Sequence, residues 1–180
     1  MSNKKGALLT EEQRLEKALT KKKRRKIALN IFIGFLVILA LFVGITTMIS
    51  VIGVQSNINK AHNYGSADCA QLEYSVEDNG YVNIKSDKGL KVMQLTDVHI
   101  GGGWMSIKKD AMAINTVATM IRVEKPDFVV VTGDISYPVP FQAGTFNNKS
   151  GAKIFAELME TLGVYWTLAY GNHDTEAYSY

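Results

Sequence analysis

Cysteine is nearly absent: Cys69 is the only one in 180 residues. An intrachain disulfide is therefore excluded, and so is a zinc site built from several thiolates. Histidine is scarce too, limited to His62, His99 and His173. No internal repeat or low-complexity stretch interrupts the chain. The glycine run 101–103 is not followed by Gly-Lys-Ser/Thr, which excludes a phosphate-cradling P-loop at that position. Excess positive charge is missing beyond residue 26, where ten Lys/Arg face fourteen Asp/Glu for a net of −4. Residues 1–26 carry ten Lys/Arg against three Glu, a net of +7, and the two parts sum to the formal +3.

What the chain has instead is one long apolar run, Ile27 to Val54. As a helix its roughly 28 residues extend about 42 Å, against about 30 Å for the hydrocarbon core of a bilayer. The apolar part of a signal peptide is shorter, about 7–15 residues, and ends at a small-residue cleavage site. "SVIGVQSN" is a poor site of that kind. Directly before the run stands "KKKRRK", Lys21 to Lys26. Next to a span, such a hexamer obeys the positive-inside rule better than it marks a nucleic-acid patch.

The expectation is a single-pass protein of the cell membrane, with residues 1–26 as a basic cytoplasmic tail and 27–54 as the transmembrane helix. Everything after about residue 55 lies outside. Membrane lipid is the partner of residues 27–54 and of the tail lysines; nucleic-acid binding is not expected, except as substrate. Thr10 and Gln13 have the spacing of a capping box, with Leu15 and Leu19 on one face, which predicts a short helix near the membrane surface. Residues 55–89 read as a juxtamembrane linker with short strands. "YVNIK", Tyr81 to Lys85, alternates after the Asn79-Gly80 turn.

From Leu90 the pattern is strand, helix, strand, helix, strand: "LKVMQLTD", "IKKDAMAINTVATMIRVEK", "DFVVVTGD", "GAKIFAELMETLG" and "VYWTLAYGNHD". This predicts an α/β sheet, with the continuous Val runs buried on both faces. Each strand runs into polar residues at its C-terminal end: Asp97-Val98-His99, Gly133-Asp134, and Gly171-Asn172-His173-Asp174. Parallel neighbours would gather those ends at one edge, where open α/β sheets bind their ligands.

Asp97 and His99, two residues apart on extended backbone, would point to one side and chelate one divalent ion. Asp134 adds a carboxylate able to bridge two ions, and Asn172 a neutral oxygen. Mixed nitrogen and oxygen donors favour Mn, Fe or Zn over Ca. Two ions about 3.5–4 Å apart can hold a hydroxide and clamp a phosphoryl group.

The ordered series "DVH", "GD", "GNHD" resembles the first three blocks of the calcineurin-like metallophosphoesterases, over Leu90 to Asp174. The resemblance implies a hydrolase of phosphomonoesters or phosphodiesters on a four-layer sandwich, with two divalent metal ions as cofactors. Asp97 and His99 would hold the first metal, Asp134 would bridge, and Asn172 would hold the second. His173 would be the catalytic acid over the leaving-group oxygen, oriented by Asp174, rather than a ligand.

The family also uses later Gly-His and Gly-His-x-His blocks, which these residues do not contain. The chain thus reads as the first β-α-β-α-β part of that domain (residues 90–180), truncated and inactive by itself. The alternative is an inactive membrane protein with a binding or scaffolding role. "GDISY" also fits the Gly-Asp-x-x-Tyr block of purple acid phosphatases; the presence of His99 argues against that subfamily and makes Tyr137 a loop aromatic. Trp104, in "GGGWMS", is expected either to contact substrate or to pack against the loop after Tyr137.

Overall fold

A computed structural model describes residues 10–175. They divide into two compact units, with the break between Ile45 and Thr46. The first helix, α1 (Glu11–His62), runs through that point. Its start carries the expected capping box: the Thr10 N–H donates to Gln13 Oε1 at 3.2 Å, and the Gln13 N–H to Thr10 Oγ1 at 3.4 Å. No separate surface helix follows. Strong helix formers continue from Glu11 into the apolar run, so nothing breaks the helix. By length and composition α1 can cross a membrane.

The second unit opens with the last turns of α1. The polar stretch after Ser56, expected as a linker, is helical to His62. The reason is visible in its spacing: Gly53, Asn57, Ile58 and Ala61 recur at helical intervals and form a buried stripe. The buried Asn57 amide donates to Ile107 O at 3.1 Å, which satisfies it. Beyond the helix Ala67 and Cys69 are also buried in the core. A hairpin follows, β1 (Glu73–Val76) antiparallel to β2 (Val82–Lys85), turned at Asn79-Gly80.

The main sheet has three parallel strands in the order β3 (Val92–Leu95), β4 (Phe128–Val131), β5 (Tyr165–Leu168). Leu95 pairs with Val131 and Val131 with Leu168, so the three C-terminal ends are level. Between the strands lie α2 (Ile107–Glu124), the short α3 (Pro140–Ala143) and α4 (Asn148–Leu162). Ile114, Ala118 and Ile121 of α2, and Ile154, Phe155 and Leu158 of α4, share one core with Leu95, Val129 and Val131.

Burial on both sheet faces is not what the structure shows. Val92 is 52% exposed, and Gln94, Thr132 and Leu168 also lie open. Adjacent parallel strands joined by crossovers of one hand place α2 and α4 on the same face, which leaves the other face to its own side chains.

Candidate metal centre

Three short loops leave the level strand ends. The first is tied to the second by a backbone ladder: Asp97 N–H to Gly133 O at 3.2 Å, His99 N–H to Asp134 O at 3.0 Å, and Ile100 N–H to Ile135 O at 2.8 Å. The third is tied to the second through side chains. Asp134 Oδ1 accepts the His173 N–H at 2.9 Å. Both motif glycines are required by this packing. A Cβ on Gly171 would sit 2.1 Å from Asp134 Oδ1, and one on Gly133 would sit 2.5 Å from Gly171 N.

Asp97, His99 and Asp134 do not have extended backbones; their φ angles are 55°, 53° and 55°. Left-handed conformations are uncommon for non-glycine residues and persist where surrounding contacts enforce them, often at functional sites. Asp97 and His99 are therefore brought together by a tight loop and not by an extended strand. Asp97 Oδ1 still lies 3.6 Å from His99 Nε2, and Thr96 donates to Asp97 Oδ2 at 2.7 Å.

Donor atoms of His99, Asp134 and His173 all lie within 4.8 Å of one another. Donors sharing one ion through bonds of about 2.0–2.2 Å stand at most about 4.4 Å apart. A contraction of a few tenths of an ångström would let this trio share one ion, so the residues fit a divalent metal of the Zn, Mn or Fe class. Asp97 stands outside the trio, beside His99. Asn172 is exposed, just before the turn His173–Thr175, and its backbone carbonyl accepts the Thr175 hydroxyl at 3.2 Å.

The sequence expectation made Asp174 the acid that orients the His173 ring. Its carboxylate collects three backbone N–H groups: Asp134 at 2.8 Å and Gly171 at 2.9 Å on Oδ2, and Ser136 at 2.9 Å on Oδ1. It knots the second and third loops together. Nothing in "GNHD" alone separates those two duties.

Sequence reasoning makes Tyr137 a loop aromatic and does not single out Asp110 at all. The Tyr137 ring centroid lies 4.7 Å from that of His99 and 4.7 Å from that of His173, and the two imidazoles are 5.4 Å apart edge to face. The third position after Asp134 in "GDISY" was its signal. Asp110, in the first turn of α2, is 2% exposed. It accepts the N–H groups of Gly101 and Gly102, each at 2.9 Å, and the Ser106 hydroxyl at 2.8 Å. Burial pushes its carboxyl above the ordinary range, against the pull of those hydrogen bonds. Trp104 packs against the loop after Tyr137, since a Cβ on Gly144 would meet its Nε1 at 2.4 Å.

The family model for calcineurin-like phosphoesterases matches residues 90–180, just over half of the chain. The chain belongs to the calcineurin-like phosphoesterase family. No curated protein matches it. Family membership indicates metal-dependent hydrolysis of phosphate esters, and the His99, Asp134 and His173 cluster lies at the strand ends where such a phosphoesterase would hold its metal.

Proposed function

We propose that this phosphoesterase is a membrane-anchored, two-metal hydrolase of phosphomonoesters or phosphodiesters, with residues 27–54 in the bilayer and residues 90–180 outside. The observation that carries the chemical part is the meeting of His99, Asp134 and His173 donors from three different strand ends within 4.8 Å. Asp97 and His99 would hold one ion, Asp134 would bridge, and Asn172 would turn its amide oxygen to the second. The ions, when bound, supply Lewis acidity and lower the pKa of a bound water.

The protein's own contribution is position and a proton. His173 is anchored through its backbone N–H to Asp134, which keeps its ring next to the bridging carboxylate. From there it is placed to protonate the departing oxygen as a general acid. Asp174 serves that step by fixing the backbone around both residues.

The test uses the full chain in detergent micelles with Mn²⁺. Metal-dependent cleavage of an aryl phosphate monoester or diester, lost together with bound metal in Asp134→Ala, is the expected result. Stoichiometric metal binding with neither ester cleaved would favour the binding or scaffolding role instead.

A further inference from the structure

We propose that the phosphoesterase unit itself rests on the bilayer, through the Thr46–Val54 turns of α1 and the apolar side chains of Trp104, Met105, Phe141 and Phe146. The inference rests on reading α1 as a membrane span.

Counted from Ile27, about 20 helical residues cross about 30 Å of hydrocarbon. That count ends at Thr46, where the second compact unit begins. The unit therefore starts at the membrane surface without an intervening linker. The next two turns stay apolar and open: Met48 and Val51 are each 64% exposed, and Ile49 and Ile52 are exposed as well.

Loops of the same unit lie against these turns. The Trp104 N–H donates to Ser50 Oγ at 3.0 Å, and a Cβ on Gly53 would meet the Ile107 side chain at 2.4 Å. The Met105 N–H donates to Ala143 O at 3.1 Å, which joins the Trp104 loop to α3. On α3, Phe141 is 90% exposed, and Met105 and Phe146 nearby are also open. Four large apolar or aromatic side chains thus adjoin the end of an apolar helix, in loops that leave the two metal-ligand motifs Asp97-His99 and Asp134.

A lipid surface suits this patch better than a protein partner does, because it covers the apolar turns and the loop aromatics with one continuous medium. Tryptophan at the Thr46–Ser50 level is where interfacial aromatic belts form. The cavity beside the patch, lined by Thr47, Ser50, Asn147 and Lys153, offers hydroxyl, amide and amine groups at headgroup depth.

Tryptophan fluorescence tests this with the full chain in phosphatidylcholine–phosphatidylglycerol vesicles, with and without bromine on the acyl chains. Trp166→Phe leaves Trp104 as the sole tryptophan. Trp104→Phe/Trp166→Phe/Phe141→Trp reports α3, and the same background with Phe35→Trp reports the span. Brominated lipid should quench Trp104 and the Phe141→Trp reporter, as for residues at the interface, and the span reporter more strongly. Quenching of the span reporter alone, with the other two open to aqueous iodide, overturns the proposal and leaves the anchor standing. If the span reporter is not quenched, the anchor fails and this inference fails with it.

Discussion

Asp110 and Asp174 each gather three hydrogen bonds, in two loops that serve the same sheet edge. Around Asp110 the acceptor is buried and its donors are Gly101, Gly102 and Ser106, none of which carries a metal donor. Around Asp174 the acceptor is half-buried and its donors include Asp134 itself. The first carboxylate stiffens the loop behind His99 from within the core, whereas the second holds the loop of Asp134 against the loop of His173. A shared bonding pattern therefore serves stability in one region and site geometry in the other. Substitutions should separate the two.

The largest effect belongs to the region of the third loop. In the full chain, His173→Ala should slow an alkyl phosphate by roughly 10²–10⁴-fold, the usual range for a lost general acid. An aryl phosphate with an acidic phenol leaves without help and should slow only modestly. Metal content should stay unchanged. Loss of metal, or equal slowing of both esters, would make His173 a ligand, as its place in the donor trio allows.

Next comes Asp110→Ala. It strands two backbone N–H groups and a hydroxyl in the core, at about 1–3 kcal/mol for each unsatisfied group that water cannot reach. A stability loss of about 3 kcal/mol in urea unfolding is expected, with metal binding retained by the protein that stays folded. If metal binding falls with little change in stability, the division between the two regions is wrong.

Asp174→Asn should do less to stability, since its donors can turn to water; about 1 kcal/mol is expected. Its rate loss should follow the His173→Ala pattern in milder form. A variant with native leaving-group dependence would show that the knot does not position His173.

These contrasts bear on what the sequence could disclose. The alternation of strands and helices after Leu90, and the polar residue at each strand end, were legible because periodicity and parallel pairing fix them. The gathering of His99 and Asp134 followed from those. The left-handed backbones of Asp97, His99 and Asp134 were not legible, because they come from cross-loop hydrogen bonds between residues far apart in sequence. Asp110 was hidden for a related reason: an acid in the first turn of a helix ordinarily answers the helix dipole and faces water. The docked end of α1 was hidden by its polar composition, although Ile58 and Ala61 kept helical spacing through it. The doubly buried sheet was overread from Val130 and its neighbours, whose β-branched character suits a strand whether or not its second face is covered.

The smallest effect tests the burial of Asp110 without deleting the side chain. Its folded carboxyl is raised, first by burial, with the Gly101, Ser106 and Gly102 hydrogen bonds and Lys109 pulling it down. A raised folded value means that the native state keeps the proton at pH values where the unfolded chain has lost it. The contribution is thus fully present below the unfolded value and is lost as pH rises through the folded one. Glu77 and Glu124 are lowered by their hydrogen-bond partners and run the other way, losing stability as pH falls. Wild-type slopes mix these trends, so the informative quantity is the difference from Asp110→Asn. That variant keeps the side-chain shape and one acceptor oxygen but cannot ionise. The unfolding free energy of wild type minus that of Asp110→Asn, followed by urea titration, should shrink as pH climbs from the acid end through the carboxylate range. A difference that stays flat would mean that Asp110 ionises as easily folded as unfolded. One that grows would mean that the three hydrogen bonds of Asp110 outweigh its burial.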